Sequence, residues 1–513
     1  MQLYKSSLLL LLIILVVIVP TLSINITVNW SLPILNFDLS LRVILISFLS
    51  AAFLSVLSAK NLSFVEMLSF TAYTVSSLCA ISSQQMILVV IFCELMTISA
   101  FFIISTGCKD SGPAIRYTCI HFFVGVLLMV GLAAHNPDLI IIGLLINCTC
   151  FPLSFWVVDA YPAASLHGTC YLALFTTKVS FLIMFLHAYN LHAEILAFLG
   201  SITAIYAIIF ASLEQNIRRF LCYNVVGQLG LLIIAGGLLS SSKEAASVLT
   251  LHVLFSLVYQ SLLFIVSNSI ISRTKTASFN GAGKLMSFEG ICAIIAILTM
   301  ATFPGTAGFV SKSYIATEIN GSGLEVYKSL YKILGLLLYL SVGLKFLYYM
   351  FVVKNKSTQP LAEEKNKLPM IILAFMCVAI GNPYLFIYNK SSIFNLVYTT
   401  KNIWSQFSLM LFATLLFIPL RKLFVPRINF KMDVDWIFIA FMPYIISLFC
   451  KLILKIRKIS VDTLQNLTSL FINLYFNSTT KLKEVISYSS VSFVSASSLF
   501  LMSILLVLLC LNL

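Results

Sequence analysis

The sequence predicts an all-α polytopic membrane protein, and three features carry that prediction. Apolar residues make up 60% of the 513-residue chain, charged residues only 10%, and mean hydropathy is +1.03. Leu-, Ile- and Phe-rich runs recur from end to end, each near the length a helix needs to cross a bilayer core of about 30 Å. The loops between them are mostly very short, and no soluble domain interrupts the series. A soluble fold of this size could not bury so much apolar surface. The expected architecture is about 14–17 transmembrane helices.

Taken in order, the run at 7–24 follows Lys5 and ends beyond Pro20. With so many spans behind it, it reads as a first transmembrane helix in preference to a signal peptide. Runs at 42–59 and 62–83 complete an N-terminal group, 1–83. A central region, 84–350, holds runs at 86–106, 117–134, 138–158, 163–188, 193–213, 220–239, 246–271, 286–303, 305–319 and 333–351. Runs at 368–388, 404–420 and 434–454 fill a C-terminal region, 351–450. The stretch 451–485 differs in kind. Lys451, Lys455, Arg457 and Lys458 open it, and Ile456, Ile459, Leu467, Leu470 and Leu474 recur at near-helical spacing. That pattern reads as an amphipathic helix along the membrane surface or a neighbouring subunit, with a solvated linker as the plainer alternative. A last run, in 486–513, reads as a terminal transmembrane helix.

The net charge of +14 resides in short loops and the C-terminal region. It reads as positive-inside topology, with lipid bilayer and no nucleic acid as the partner implied. Loops carrying Lys109 and Arg116, Arg218 and Arg219, and Arg273, Lys275 and Lys284 alternate with poorly charged ones, which places them in the cytoplasm. Beyond Lys354 the alternation fails. The 12 cysteines lie mostly within apolar runs without a CxxC pair, so they read as small core residues, neither disulfides nor metal ligands. No nucleophile–base constellation, phosphate loop or metal-ligand cluster appears, so no cofactor and no metal are expected. His121, His167 and His252 are too scattered to hold an ion.

Two regions break the helical pattern. "FPLSFWVVDAYPAASLHG" (151–168) and "FPGTAGFV" (303–310) put prolines and small residues where a simple helix should continue. Irregular backbone at membrane depth survives only where protein or a water-filled cavity satisfies its polar groups. Two such breaks in separate halves suggest an inverted-repeat transporter with sites near the midplane. Each break is followed by a lysine inside an apolar run, Lys178 and Lys312. Glu94, in "VVIFCELMTISAFF", and His252 are the other ionisable groups at membrane depth. Such residues are functional candidates by default. Buried lysines lose proton affinity through desolvation and regain it beside a carboxylate, so a chain of such groups can pass protons. Lys60, Glu66 and Glu289 read as helix-end residues that reach the interface. Lys345, near the middle of 333–351, is ambiguous.

At these residues the sequence resembles the antiporter-like subunits shared by respiratory complex I (the L, M and N type) and the multisubunit Mrp cation/proton antiporters, above all the D-type Mrp protein. The resemblance spans about residues 85–350. It rests on "CELM" (93–96), "RY" with His121 (116–121), "FPLSFWVVDAYPAA" (151–164), "LFTTKV" (174–179), "IRRFLCYNVVGQLG" (217–230) and "FPGTAGFVSKSYI" (303–315), in that order. The resemblance implies two inverted five-helix bundles, each with a broken helix. It implies that Glu94 is the carboxylate of the first half-channel, Lys178 the lysine joining that half to the centre, and Lys312 the broken-helix lysine of the second. Pro304, Gly305 and Gly308 would open the helix so that backbone and water can surround Lys312.

The chain also departs from the family. Where a lysine is usual before "FPLxFW", it has Asn147 and Cys148. A His-x3-His-x3-Lys pattern reads His252, Ser256, Gln260, and Arg218 stands for a loop lysine. With the first of these lysines missing, Lys178 is the expected charge partner of Glu94. The function implied is a proton (or Na⁺) path along Glu94, Lys178, His252 and Lys312, supported by His121, Arg218 and Gln260. The chain would work beside other membrane subunits of a multisubunit antiporter, in a bacterial inner membrane. The alternatives are a proton-pumping, non-redox membrane subunit of respiratory NADH-quinone oxidoreductase, which also admits a mitochondrial inner membrane, and a degenerate scaffold that transports nothing.

Overall fold

A computed structural model describes residues 2–21, 41–108, 110–187, 192–239, 245–279, 281–319, 324–353, 366–382, 396–425 and 442–476. These fall into two units, 1–435 and 436–513. The predicted run in 486–513 lies outside the described residues.

The first unit is a helical bundle. Its helices are α1 (Gln2–Thr21), α2 (Leu41–Ser58), α3 (Phe64–Ser82), α4 (Met86–Ser105), α5 (Gly112–Ala133), α6 (Pro137–Asn147), α7 (Phe155–Ala160), α8 (Leu166–Leu172) and α9 (Thr176–His187). There follow α10 (Ala193–Leu213), α11 (Ile217–Leu238), α12 (Ala245–Thr274), α13 (Ser287–Met300), α14 (Ala307–Glu318), α15 (Glu325–Val352), α16 (Leu368–Ala379) and α17 (Thr400–Leu420). Ten helices among the described residues are long and apolar enough to cross a membrane, α8 and α9 counting together as one.

Helix starts follow local chemistry. Ser63 and Glu66 form a reciprocal capping box on α3. Asn136 accepts from the first amides of α6, Ser165 caps α8, and Asn216 accepts from the amides of Arg218 and Arg219 at the start of α11. The core lies around α11 and α12, whose spans are buried throughout their membrane-length windows. Small residues let the backbones approach. A Cβ added to Gly200 of α10 would meet the Gly230 carbonyl oxygen of α11 at 2.7 Å, and one added to Gly230 would meet Ala204 N at 2.7 Å.

Two predicted spans are not simple helices. The run 138–158 divides into α6 and α7 across a turn, and the run 163–188 stops at Leu172 and resumes at Thr176. α15 contains two π-helical turns, Tyr339–Leu344 and Tyr348–Val352, on either side of Lys345.

In the second unit, α18 (Met442–Phe476) is one helix of 35 residues, roughly 50 Å long. It joins the stretches that the sequence divided between the run at 434–454 and the amphipathic segment 451–485. Its described side chains are exposed except Ile445, and they include Leu448, Leu452, Ile459 and Leu467.

Candidate functional site

Glu94 projects from the middle of α4 onto α5, where the sequence provides a glycine. A Cβ on Gly125 would fall 1.7 Å from Glu94 Oε1, so the carboxylate occupies the space a side chain would take. Glu94 Oε2 is buried with no hydrogen-bond partner among the described residues. One helical turn earlier on the same face of α5 sits His121, 3% exposed. Its ring packs 4.1 Å from Tyr117 and 4.5 Å from Trp156, centroid to centroid. Asn147, the last residue of α6, lies beside it. His121 Nε2 and Asn147 Oδ1 are both buried and unbonded.

Lys178 is 1% exposed. Its Nζ donates to the Ala173 carbonyl at 2.7 Å, the acceptor exposed where α8 ends. The direct Glu94–Lys178 ion pair expected from the sequence is not formed. The ammonium is spent on its own broken helix, while the carboxylate stays against Gly125 on another pair of helices.

Lys312 repeats the arrangement. α13 ends at Met300, and Thr302 (φ 68°) and Gly305 (φ 89°) turn the chain back into α14. Only glycine takes the second of these angles without strain. Gly308 lets α14 lie on the end of α13, since a Cβ there would come 1.8 Å from the Thr299 carbonyl oxygen. Lys312 Nζ donates to Met300 O at 2.8 Å and to Gln228 Oε1 of α11 at 3.1 Å. Lys178 and Lys312 are therefore each held by a carbonyl that the adjoining break exposes. His252 Nδ1 lies 2.8 Å from Ser311 Oγ, which joins α12 to the same cluster. A cavity of about 60 Å³ opens beside Lys312, lined in part by Thr302, Tyr331, Tyr339 and Gln406. It has room for a few waters. Gln260 is buried on α12 with Oε1 unbonded.

Other expectations need correction. Arg218 is not in a loop but in the first turn of α11, where its guanidinium donates to the carbonyls of Ala164 and Ser165 and to Thr169. Glu289 does not reach the interface. It is 2% exposed, accepts from Ser269 and forms an ion pair with Arg273 at 2.9 Å. Lys345 is fully buried and donates to the carbonyls of Ala211, Ser212 and Glu214 at 2.7–2.8 Å, which closes the C-terminus of α10. Glu66 keeps a helix-end role through its cap, and Lys60 is exposed. Sequence reasoning missed Gln228, although it is a lone amide within the quoted "YNVVGQLG". It also missed a buried group of Tyr73, Tyr117 and Thr176, whose hydroxyls meet around Thr176 Oγ1.

Comparison with known proteins bears on the fold and on one region of the sequence. Residues 136–330 match the family described as NADH:quinone oxidoreductase/Mrp antiporter, transmembrane. NADH-quinone oxidoreductase subunit N of Cytophaga hutchinsonii is 23% identical over 339 residues, 59% of this chain and 73% of that protein. Hydrogenase-4 component B of Escherichia coli is 23% identical over 359 residues, 57% of this chain, and the match spans about half (52%) of that relative. The fold resembles a chain in the structure of the Mrp complex from a Dietzia species, with TM-score 0.63 and 14% identity, covering 79% of this chain and 94% of that one. Residues 136–330 are thus similar to the transmembrane region of that family, and the chain is a multi-pass α-helical membrane protein with the fold of these subunits.

Proposed function

We propose that the chain is a membrane subunit of a multisubunit cation/proton antiporter and contributes an intramembrane path for protons, or for Na⁺, along Glu94, Lys178, His252 and Lys312. The observation that carries the reading is the repeated lysine geometry. Two buried lysines, one at each helix break, hydrogen-bond to an exposed carbonyl, and one borders a cavity large enough for water. A group in that setting can give up a proton and keep its place, because the amine and the ammonium can both hydrogen-bond. His252, joined through Ser311 to the Lys312 cluster, adds a second titratable group. The resemblance to a chain of a solved Mrp complex supports partner membrane subunits. α18, with its apolar residues exposed, is assigned to the membrane surface or to such a partner.

A second reading, a proton-pumping membrane subunit of respiratory NADH-quinone oxidoreductase, is favoured by the relatedness to a subunit N. Both readings require the same path. Glu94→Gln should abolish cation-dependent proton exchange in everted vesicles that contain the whole complex. Full exchange at normal abundance would instead assign the chain a scaffold role. Driving the vesicles with NADH in place of a cation gradient separates the two transport readings.

A further inference from the structure

The cavity beside Lys312 is lined by hydrogen-bond donors and by no acid. An ammonium carries three N–H donors. Lys312 gives one to Met300 O and one to Gln228 Oε1, both neutral acceptors, so one donor and the whole charge remain uncompensated. Tyr331 and Lys332 of α15 and Gln406 of α17 line the same space. Tyr331 is 8% exposed, as Lys312 is, and its hydroxyl makes no hydrogen bond among the described residues. The Thr302 hydroxyl lies 2.9 Å from Gln406 Oε1, which occupies that amide's acceptor and leaves its NH₂ to donate. Lys332 is exposed and adds a second positive charge.

No carboxylate balances these groups among the described residues. Glu289 of α13 pairs with Arg273, Glu325 of α15 with Lys328, and Glu318 of α14 does not line the cavity. From α12, His252 reaches Lys312's helix through Ser311, and the Tyr259 hydroxyl donates to Gln228, so neither supplies negative charge. A buried ammonium without a counter-charge is costly, and water brings none. One buried positive charge calls for one negative charge. The space, about 60 Å³, admits an ion close to water in size.

The cavity also lies where a dissolved ion can reach it. Tyr349, late in α15, bonds Gly281 N and, through its hydroxyl, Arg421 O just beyond α17, at the end that carries Lys284. Tyr331, Lys332 and Gln406 come from the opening turns of the same two helices, so they face the opposite end of the bundle.

We infer that this cavity is a binding site for one small monovalent anion of the halide class, held by the Lys312 ammonium, the Tyr331 hydroxyl and the Gln406 amide. Lys332 raises the anion's local concentration at the entrance. Hydrogen bonds to an ionised acceptor are the strong kind, so three donors suffice to fix it. The site needs only the ammonium and the donors around it, and is independent of which transport reading holds.

The test is equilibrium binding of radiolabelled chloride to the purified complex in detergent, with potassium gluconate holding ionic strength constant. The wild-type complex should bind at least one chloride per chain, saturably and in competition with bromide. Tyr331→Phe keeps the ring and removes only the hydroxyl. It should weaken that binding about 10- to 100-fold, the worth of one hydrogen bond to a charged group. Gln406→Glu, which puts a carboxylate beside the ammonium, and Lys312→Met, which removes the charge, should each abolish one bound chloride per chain. Absence of saturable binding would leave the cavity to water and overturn the site. Binding unchanged in Tyr331→Phe and Gln406→Glu would place the chloride elsewhere in the complex and overturn it equally. Should Gln406→Glu fail to accumulate, Tyr331→Phe decides the question, since it alters a single atom.

Discussion

Glu94 and Gly125 occupy one space on two helices, and this makes the glycine as specific as the acid. A Cβ 1.7 Å from Oε1 cannot be accommodated without moving the carboxylate. Gly125→Ala should therefore slow exchange on the order of 100-fold, the cost of displacing a reacting group by about 1 Å. Normal membrane abundance with unchanged exchange would show that the carboxylate's position does not matter. The Arg273–Glu289 pair lends itself to a stability test. Arg273→Met alone leaves a buried carboxylate uncompensated and should cost about 3–5 kcal/mol, read as a fall in thermal unfolding temperature of the purified complex. Arg273→Met with Glu289→Leu should recover much of that loss. At this scale the sequence was a good guide to which residues lie buried, since Lys178, His252 and Lys312 are all within the core. It was a poor guide to their partners. Glu289 has an arginine from another helix and Lys178 a carbonyl from its own, and neither contact leaves a trace in hydropathy.

At the scale of elements, the two breaks differ in how they are made. The one before α14 is written in the sequence, because Pro304 and Gly305 cannot continue a helix and Gly308 clears the way for Thr299. Gly308→Ala should therefore separate α13 from α14 and cost about 1–3 kcal/mol. A thermal scan of the complex checks this, and an unchanged midpoint would count against the close approach. The break between α8 and α9 has neither proline nor glycine. The sequence pointed instead to the proline-rich stretch upstream, where α6 and α7 part. At Leu172–Thr176 the opening is held by one local and one tertiary contact: Lys178 takes the Ala173 carbonyl of its own broken helix, and the Thr176 amide donates to the Tyr73 hydroxyl at 3.3 Å. A break that depends on a tyrosine from α3 is not legible in local composition.

At the scale of the first unit, the basic loops converge on one end of the bundle. Gly107 packs on the Ala164–Ser165 backbone, and Arg218 bonds those same carbonyls. Arg116 pairs with Asp159 at 2.7 Å, Ile217 N donates to Ala277 O, and Gly281 N donates to Tyr349 O. Arg116, Arg218, Arg219 and Arg273 therefore share an end, as the alternation of charge in the loops anticipated. If that end is cytoplasmic, a cysteine placed at Ser111 should resist impermeant labelling from outside intact cells, and efficient labelling would invert the topology. The all-α fold was legible from hydropathy because the bilayer imposes length and apolarity on every span. The central claim is that the lysines at the two breaks belong to one proton path. It is tested most directly by proton exchange in vesicles carrying Lys178→Met, Lys312→Met, or both. Each single variant should lose exchange at normal abundance, and the double variant should be little worse than either, as groups acting in series behave. Wild-type exchange in both single variants would contradict the account.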